Sequence, residues 1–242
     1  MYDNKVIDRL ENEYGSFTVE ELTYEGRQAR VLFSGPGHTA QSGIALDDNP
    51  RLLFDYNQRF LAIAAQLNPS RILVLGGGTL TLPLALTRFL PRARVTAVEI
   101  NSDLIKLATK YFGYKHDARI KVVETDAYRY MLKANPAFEL IITDIFDAAA
   151  IPAMFLSRRF AANLKRALLP QGIVATNCIA AAGGEGADVL RKMTDSYKSE
   201  IGPVRVVKAD PKYADIIPQN LIVISGEKAA RLLTGTGEEH YI

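Results

Sequence analysis

The sequence predicts an α/β fold: a mostly parallel sheet with helices on both faces, an antiparallel strand near the C-terminal end, and a small antiparallel β unit in front. Three observations lead there. From Arg71 onward, short apolar runs alternate with segments of helical period, the rhythm of a parallel sheet whose strands are joined by helices. The stretch RILVLGGGTLTLPLALTRFLPRARVTAVEIN, Arg71 to Asn101, reads as a buried strand, a glycine turn, a helix and a second strand ending on the acid Glu99. Residues 17 to 46 instead carry short alternating apolar and polar runs around glycine-containing turns.

Taken in order, the elements are these. Residues 1 to 15 are polar, with a short helix expected around Lys5 to Glu13. Phe17 to Thr23 and Gln28 to Phe33 form a hairpin about Tyr24-Glu25-Gly26-Arg27, and a third extended segment, His38 to Leu46, follows Gly35-Pro36-Gly37. Residues 1–48 make this β unit, and 49–242 the main domain. Asp48-Asn49-Pro50 is a helix start signal, with Leu53, Tyr56, Phe60 and Ala64 on one face before Asn68-Pro69 ends the helix. Strands are expected at 71–75, 94–98, 119–124, 138–143 and 172–177, with helices near 79–89, 101–112, 127–134 and 153–168 between them. A helix near 185–200 then leads to extended segments at 203–208 and 219–225, close enough in sequence to pair antiparallel.

Composition narrows the function. A hydrophobic fraction of 48% with 23% charged residues is that of a globular protein. Lys+Arg 29 against Asp+Glu 27, a formal charge of +2, gives no electrostatic case for nucleic acid. No apolar run approaches the roughly 20 residues that span a bilayer, so no membrane is expected. The opening MYDNKVIDRLENEYG lacks the apolar stretch of a signal peptide, and the single cysteine, Cys178, suits a reducing compartment; the expected location is cytoplasmic. His38, His116 and His240 lack metal-ligand spacing, so no metal is expected.

In open parallel sheets ligands bind at the carboxyl ends of the strands. Four consecutive strands here end on glycine or acid: Gly76-Gly77-Gly78, then Glu99, then Asp126-Ala127, then Asp144-Ile145-Phe146-Asp147. Glycines allow close backbone approach to a nucleoside cofactor, and an acid about 20 residues on can accept hydrogen bonds from ribose hydroxyls. Singly, each signal has a plainer reading: a packing turn for the glycines, helix caps for Glu99 and Asp126, a capped loop for Asp144 and Asp147. Their order on successive strands favours a cofactor site. The Ala180 to Gly186 stretch, AAAGGEG, is either a mobile lid or a plain linker.

Over about Gln41 to Asn177 the sequence resembles the S-adenosylmethionine-type transferases of the Rossmann-like class I methyltransferase fold, and within them the polyamine aminopropyltransferases, the spermidine synthase family. GGGTLTLP is similar to that family's glycine turn, VEIN to its V-E-I-D, ETDAYRYM to its G-D-A segment, LIITDIFD to its D-x-x-D, and LLPQGIVATN to its closing L-x-x-G-G strand. TAQSG and FDYNQRFLAIA resemble its glutamine and its Tyr-His-Glu helix. The resemblance implies a cofactor cradle of Gly76, Gly77, Gly78 and Thr79, with Glu99 on the ribose hydroxyls, Asp126 on the adenine amine beside Ala127, and Gln41 reaching in from the N-terminal unit. It makes Asp144 the base, adjoining the cofactor, has Asp147 hold the incoming amine, and lines the amine site with Tyr56. The implied cosubstrate is decarboxylated S-adenosylmethionine or S-adenosylmethionine itself, the partner a small-molecule amine, and the assembly a homodimer.

The sequence also departs from the family. Thr79 stands where the family has an aspartate facing the aminopropyl ammonium, Asn101 replaces the acid of V-E-I-D, and Asn57-Gln58 replace His-Glu. Ala148-Ala149-Ala150 separate the D-x-x-D from Pro152, and the C-terminal part is expected to lack the aromatic and acidic groups of a diamine site. Thr79 keeps methyl or other alkyl transfer open on the same scaffold, and the thin acceptor region keeps open a nucleoside-binding module without catalysis.

Overall fold

A computed structural model describes residues 4–47, 52–147 and 150–232. The N-terminal unit is a four-stranded antiparallel meander of β1 (Lys5–Asn12), β2 (Gly15–Tyr24), β3 (Arg27–Ser34) and β4 (Thr39–Ala45). The helix expected at Lys5 to Glu13 is therefore strand β1. Residues Val6 to Asn12 find backbone partners along β2, with a bulge between Val6 and Asp8, and Gly15 at φ +119° makes the reversal that brings the two strands together. A helix there would leave the outer edge of β2 unpaired.

The main sheet has seven strands in the order β10-β11-β9-β8-β5-β6-β7. Its parallel centre is β5 (Arg71–Leu75), β6 (Arg94–Glu99), β7 (Ile120–Glu124), β8 (Phe138–Thr143) and β9 (Leu168–Ala180). The C-terminal pair, β10 (Val204–Lys208) and β11 (Gln219–Ser225), is antiparallel, and β11 also runs antiparallel to β9. Strand periodicity divides the apolar residues between two layers. Leu73, Leu75, Ile141, Val174, Leu221 and Val223 face one cluster; Ile72, Val74, Leu140, Ile142, Ile173 and Ile222 face the other. Helices α4 (Ala127–Lys133), α5 (Arg158–Ala167) and α6 (Asp188–Glu200) cover the first layer, while α1 (Asp55–Leu67) and α2 (Thr81–Phe89) cover the second.

Helix α3 (Ser102–Tyr111) joins the two units: its Leu104 and Leu107, with Phe112 after it, pack on Phe17, Val19 and Leu32 of the meander. Asn12 Nδ2 adds hydrogen bonds to Asn101 Oδ1 at 3.1 Å and Asp103 Oδ2 at 2.9 Å. The helix expected over 153–168 is broken in two, because Ser157 leaves helical geometry and its hydroxyl caps α5 by accepting from Phe160 N at 3.2 Å. Helix α1 begins at Asp55; the start signal Asp48-Asn49-Pro50 lies outside the described residues, as does His240. Among the described residues no helix is long and apolar enough to cross a membrane.

Candidate active site

A cleft of about 1220 Å³ runs along the carboxyl ends of the parallel strands and is roofed by the meander. Its floor is the glycine turn. Gly76 and Gly77 both donate to Val98 O at 3.0 Å, which folds the chain back between the ends of β6 and β8. Gly76 has φ +87°, and a Cβ on it would lie 2.1 Å from the Asp144 carbonyl oxygen, so only glycine fits. A Cβ on Gly77 would stand 3.3 Å from that of Glu99, and one on Gly78 3.2 Å from Ser42 Oγ of β4. Glycine thus lets the turn pack against Asp144, Leu80 and Glu99 while presenting bare backbone to the cleft.

Thr79 is fully buried and does not line the cleft; Thr81 does. Leu80, at φ +57°, turns the chain at that point, and α2 starts there without a side-chain cap. Glu99 is buried, and its carboxylate is held at both ends: Oε2 accepts from Gly78 N at 2.6 Å and Oε1 from Asn101 N at 2.9 Å. Burial pushes its pKa above the ordinary value, against the pull of those N–H groups. Asp126 caps α4, Oδ1 accepting from Arg129 N at 2.8 Å, and lines the cleft beside the buried Ala127.

Asp144 stands where the floor meets the wall. Asn177 Nδ2 donates to its Oδ1 at 3.0 Å, and the Tyr56 hydroxyl from α1 also hydrogen-bonds it. Loss of water around the carboxylate pushes its pKa to about 6, although both hydrogen bonds favour the charged form. Tyr56 is raised well above its ordinary value, first by burial and then by the Asp144 charge. Its ring stacks on Phe54 at 5.9 Å, and its hydroxyl lies 3.5 Å from the carbonyl of Gln41, which lines the cleft from β4. Asp147 is exposed at the rim, where its backbone exchanges two hydrogen bonds with Ala150 at 2.8 and 3.0 Å.

The structure also brings in residues that the sequence reading did not single out. Asn177, three residues before the end of β9, adds a lining residue from a fifth strand. Asp210, Tyr213 and Gln219 line the cleft from the segment between β10 and β11 and the start of β11, so the C-terminal part does supply an acid and an aromatic ring. The Ala180 to Gly186 stretch does not line the cleft; Gly183 N is tied to Asp215 O at 3.0 Å. Asn57 lines it, whereas Gln58 turns away to donate to Leu52 O at 2.7 Å.

The charge of the cleft is one-sided. Glu13, Glu25, Asp55, Glu99, Asp126, Asp144, Asp147 and Asp210 make eight lining carboxylates; among the described residues no lysine, arginine or histidine lines it. In a chain of formal charge +2, this is a local field that attracts cations and repels anions. Among the described residues no cluster of three or more His, Cys, Asp or Glu could hold a metal ion.

The family model for the spermine/spermidine synthase domain matches residues 59–212. Over 159 residues the chain is 30% identical to a polyamine aminopropyltransferase of Chromobacterium violaceum, covering 65% of this chain and 60% of that protein. It is 27% identical over 150 residues to the human eEF1A lysine and N-terminal methyltransferase, covering 57% of this chain and 20% of that protein. These matches span less than two thirds of either relative. A probable spermidine synthase from Corynebacterium glutamicum superposes with TM-score 0.77 at 24% identity, covering 92% of this chain and 81% of that one. A spermidine synthase in complex with the transition state analogue AdoDATO superposes with TM-score 0.67 at 16% identity, covering 98% and 82%. The likenesses to solved structures show the methyltransferase-like fold.

Proposed function

The chain belongs to the spermine/spermidine synthase domain family, and from that premise we propose that it is a transferase moving an aminopropyl group from decarboxylated S-adenosylmethionine to a small amine. The observation that carries this reading is the cleft with eight carboxylates and no cationic side chain among its described lining residues. Both reactants are cations: the donor is a sulfonium bearing an ammonium, and the acceptor arrives as an ammonium. A donor that kept its carboxylate would meet no cationic side chain there.

The residues fit a nucleoside sulfonium. The glycine turn lines the cleft with bare backbone, and Glu99, held by two N–H groups, presents acceptors beside it. The bound sulfonium would supply an activated carbon with a neutral thioether as leaving group. Asp126 would bind the adenine amine, Gln41 would contact the nucleoside from above, and Tyr56 and Asp147 would hold the acceptor.

Asp144 would be the base. An alkyl amine of pKa near 10 is about 0.1% neutral at pH 7, and an ammonium has no lone pair to attack with. Asp144 takes one proton from nitrogen, the freed pair forms the new C–N bond, and the C–S pair departs on sulfur. Raising the carboxylate pKa to about 6 makes this transfer less uphill by about 3 kcal/mol than an ordinary aspartate would, yet leaves it about 90% ionised at pH 7.

Two observations favour a second reading, alkyl transfer from S-adenosylmethionine itself: the glycine turn carries no acid, and the uncapped start of α2 leaves backbone N–H groups there. Calorimetry with both donors separates the two, since binding of the carboxylated donor alone would sink aminopropyl transfer. Thioether release with a panel of amines, beside Asp144→Asn, tests the chemistry. A loss of 10²-fold or more, typical for a general base, is expected; unchanged turnover would remove Asp144 from that role, and no turnover with any acceptor would leave a binding module. A cytoplasmic homodimer is part of the same reading, and light scattering of the purified protein tests the dimer.

A further inference from the structure

The connection between β10 and β11, residues 209–218, has no helix or strand of its own, and from Lys212 to Pro218 every residue is exposed. Without an apolar face to bury, such a segment takes its course from polar groups. Two buried side chains, one from each flanking strand end, supply them. Gln219, at the start of β11, donates through Nε2 to Ala214 O at 3.1 Å and to Ile217 O at 3.3 Å. Lys208, the last residue of β10, is 8% exposed and reaches the middle of the segment. Its Nζ donates to Tyr213 O at 2.9 Å and pairs with the Asp215 carboxylate at 2.5 Å. Lys208 does not line the cleft, but Tyr213 does. Burial and, after it, the nearby Glu25, Asp55 and Tyr213 raise the pKa of Tyr24 on β2. Tyr213 therefore stands on the side of the cleft where Tyr24 meets Phe54 at 5.9 Å and Phe54 stacks on Tyr56 at 5.9 Å, a row of rings that leads to Asp144.

We propose that Lys208 is a positioning residue for the acceptor: by holding the Tyr213 carbonyl it fixes Tyr213 as a wall of the amine's path to Asp144. The inference rests on the proposed amine transfer for its substrate. A buried ammonium persists only where its protons are used, and here a carbonyl and a carboxylate of one loop use two of the three. Both partners belong to exposed residues: Tyr213 is 51% exposed and the Asp215 side chain 47%. Methionine in place of Lys208 keeps the length and removes the charge, and water can then reach both partners, so neither is stranded in the interior. The backbone pairing of position 208 with Leu221 is left in place. Lys208→Met should therefore free the loop and spare the sheet. If the ordered loop falls to about a tenth of the population, the apparent affinity for the amine falls about tenfold.

The chain contains no tryptophan, so Tyr213→Trp places a single reporter on the loop. In the free protein, Lys208→Met is expected to lower the fluorescence anisotropy of that reporter and to increase its quenching by acrylamide; an unchanged reporter overturns the proposal. Turnover is then measured at saturating donor with whichever amine of the panel reacts fastest. Lys208→Met is expected to raise KM for that amine about tenfold with kcat within about threefold, and to leave calorimetric donor affinity unchanged. A loss of the same size in kcat or in donor affinity overturns the proposal, because it marks general loosening. In a Tyr213→Ala background the same substitution is expected to raise KM no further, and an equal increment in both backgrounds refutes the coupling. Asp215→Asn, at an exposed position, carries the same readouts should Lys208→Met fail to fold. The reporter needs no turnover: absence of amine transfer would sink the proposed function, while the reporter would still decide whether Lys208 orders Tyr213.

Discussion

Replacing the Asp144 carboxylate by an amide, Asp144→Asn, should stabilise the fold at neutral pH while removing its proposed base. A carboxyl whose pKa is raised on folding keeps its proton where the unfolded chain has already lost it. Stability therefore falls as pH rises from about 3.8 to about 6 and stays at its lower level above that. At about 1.4 kcal/mol per unit, the full cost is at most about 3 kcal/mol at pH 7.5 and about 0.5 kcal/mol at pH 4. The asparagine keeps an oxygen for Asn177 Nδ2, now at 3.0 Å, and occupies the same volume, so the removed charge is the main change. Urea titrations of both proteins at pH 7.5 and pH 4 read the difference directly, as midpoint shifts at constant slope. A variant no more stable than wild type at pH 7.5, or a gain that does not shrink toward pH 4, would refute the claim that burial strains this carboxylate.

Three further outcomes are expected. Gly76→Ala places a methyl 2.1 Å from the Asp144 carbonyl at φ +87°, and should cost about 3 kcal/mol or more in urea unfolding; a cost below about 1 kcal/mol would mean the turn yields freely. Glu99→Ala should weaken binding of the nucleoside donor by about 1 to 3 kcal/mol in calorimetry, the scale of lost hydrogen bonds to a charged group; unaltered affinity would separate Glu99 from the ribose. Ser157→Ala removes the cap of α5 and should lower stability by about 1 kcal/mol in thermal melts, with no effect on donor affinity.

The parallel sheet is legible because its strands are buried on both sides, and an uninterrupted run such as Ile72 to Leu75 fits little else once a glycine turn follows it. Segment Lys5 to Asn12 is not legible in the same way: Val6 and Leu10 stand at a helical spacing, and the strand forms because β2 offers it a partner. In the same manner, Ser157 cuts a helix that apolar periodicity alone would continue. At the cleft, Glu99, Asp126 and Asp144 follow from position at strand ends. The direction of Thr79 does not, because it depends on the left-handed turn at Leu80. Asp210 and Tyr213 escape local reading altogether, since they reach the cleft only through the pairing of β10, β11 and β9.

The contact between Gly76 and the backbone of Asp144 divides the cleft into parts with different freedom to change. Turn and main chain are so close that not even a methyl group fits between them, so the glycine floor and the backbone that carries Asp144 form one block. The rim is another matter: Glu25 sits on a hairpin tip, and Asp210 and Tyr213 on the connection between β10 and β11. Replacing such residues leaves the block untouched. If the proposed amine transfer holds, acceptor choice is open to change at these margins, and redesign for a longer or bulkier amine should begin at those three positions.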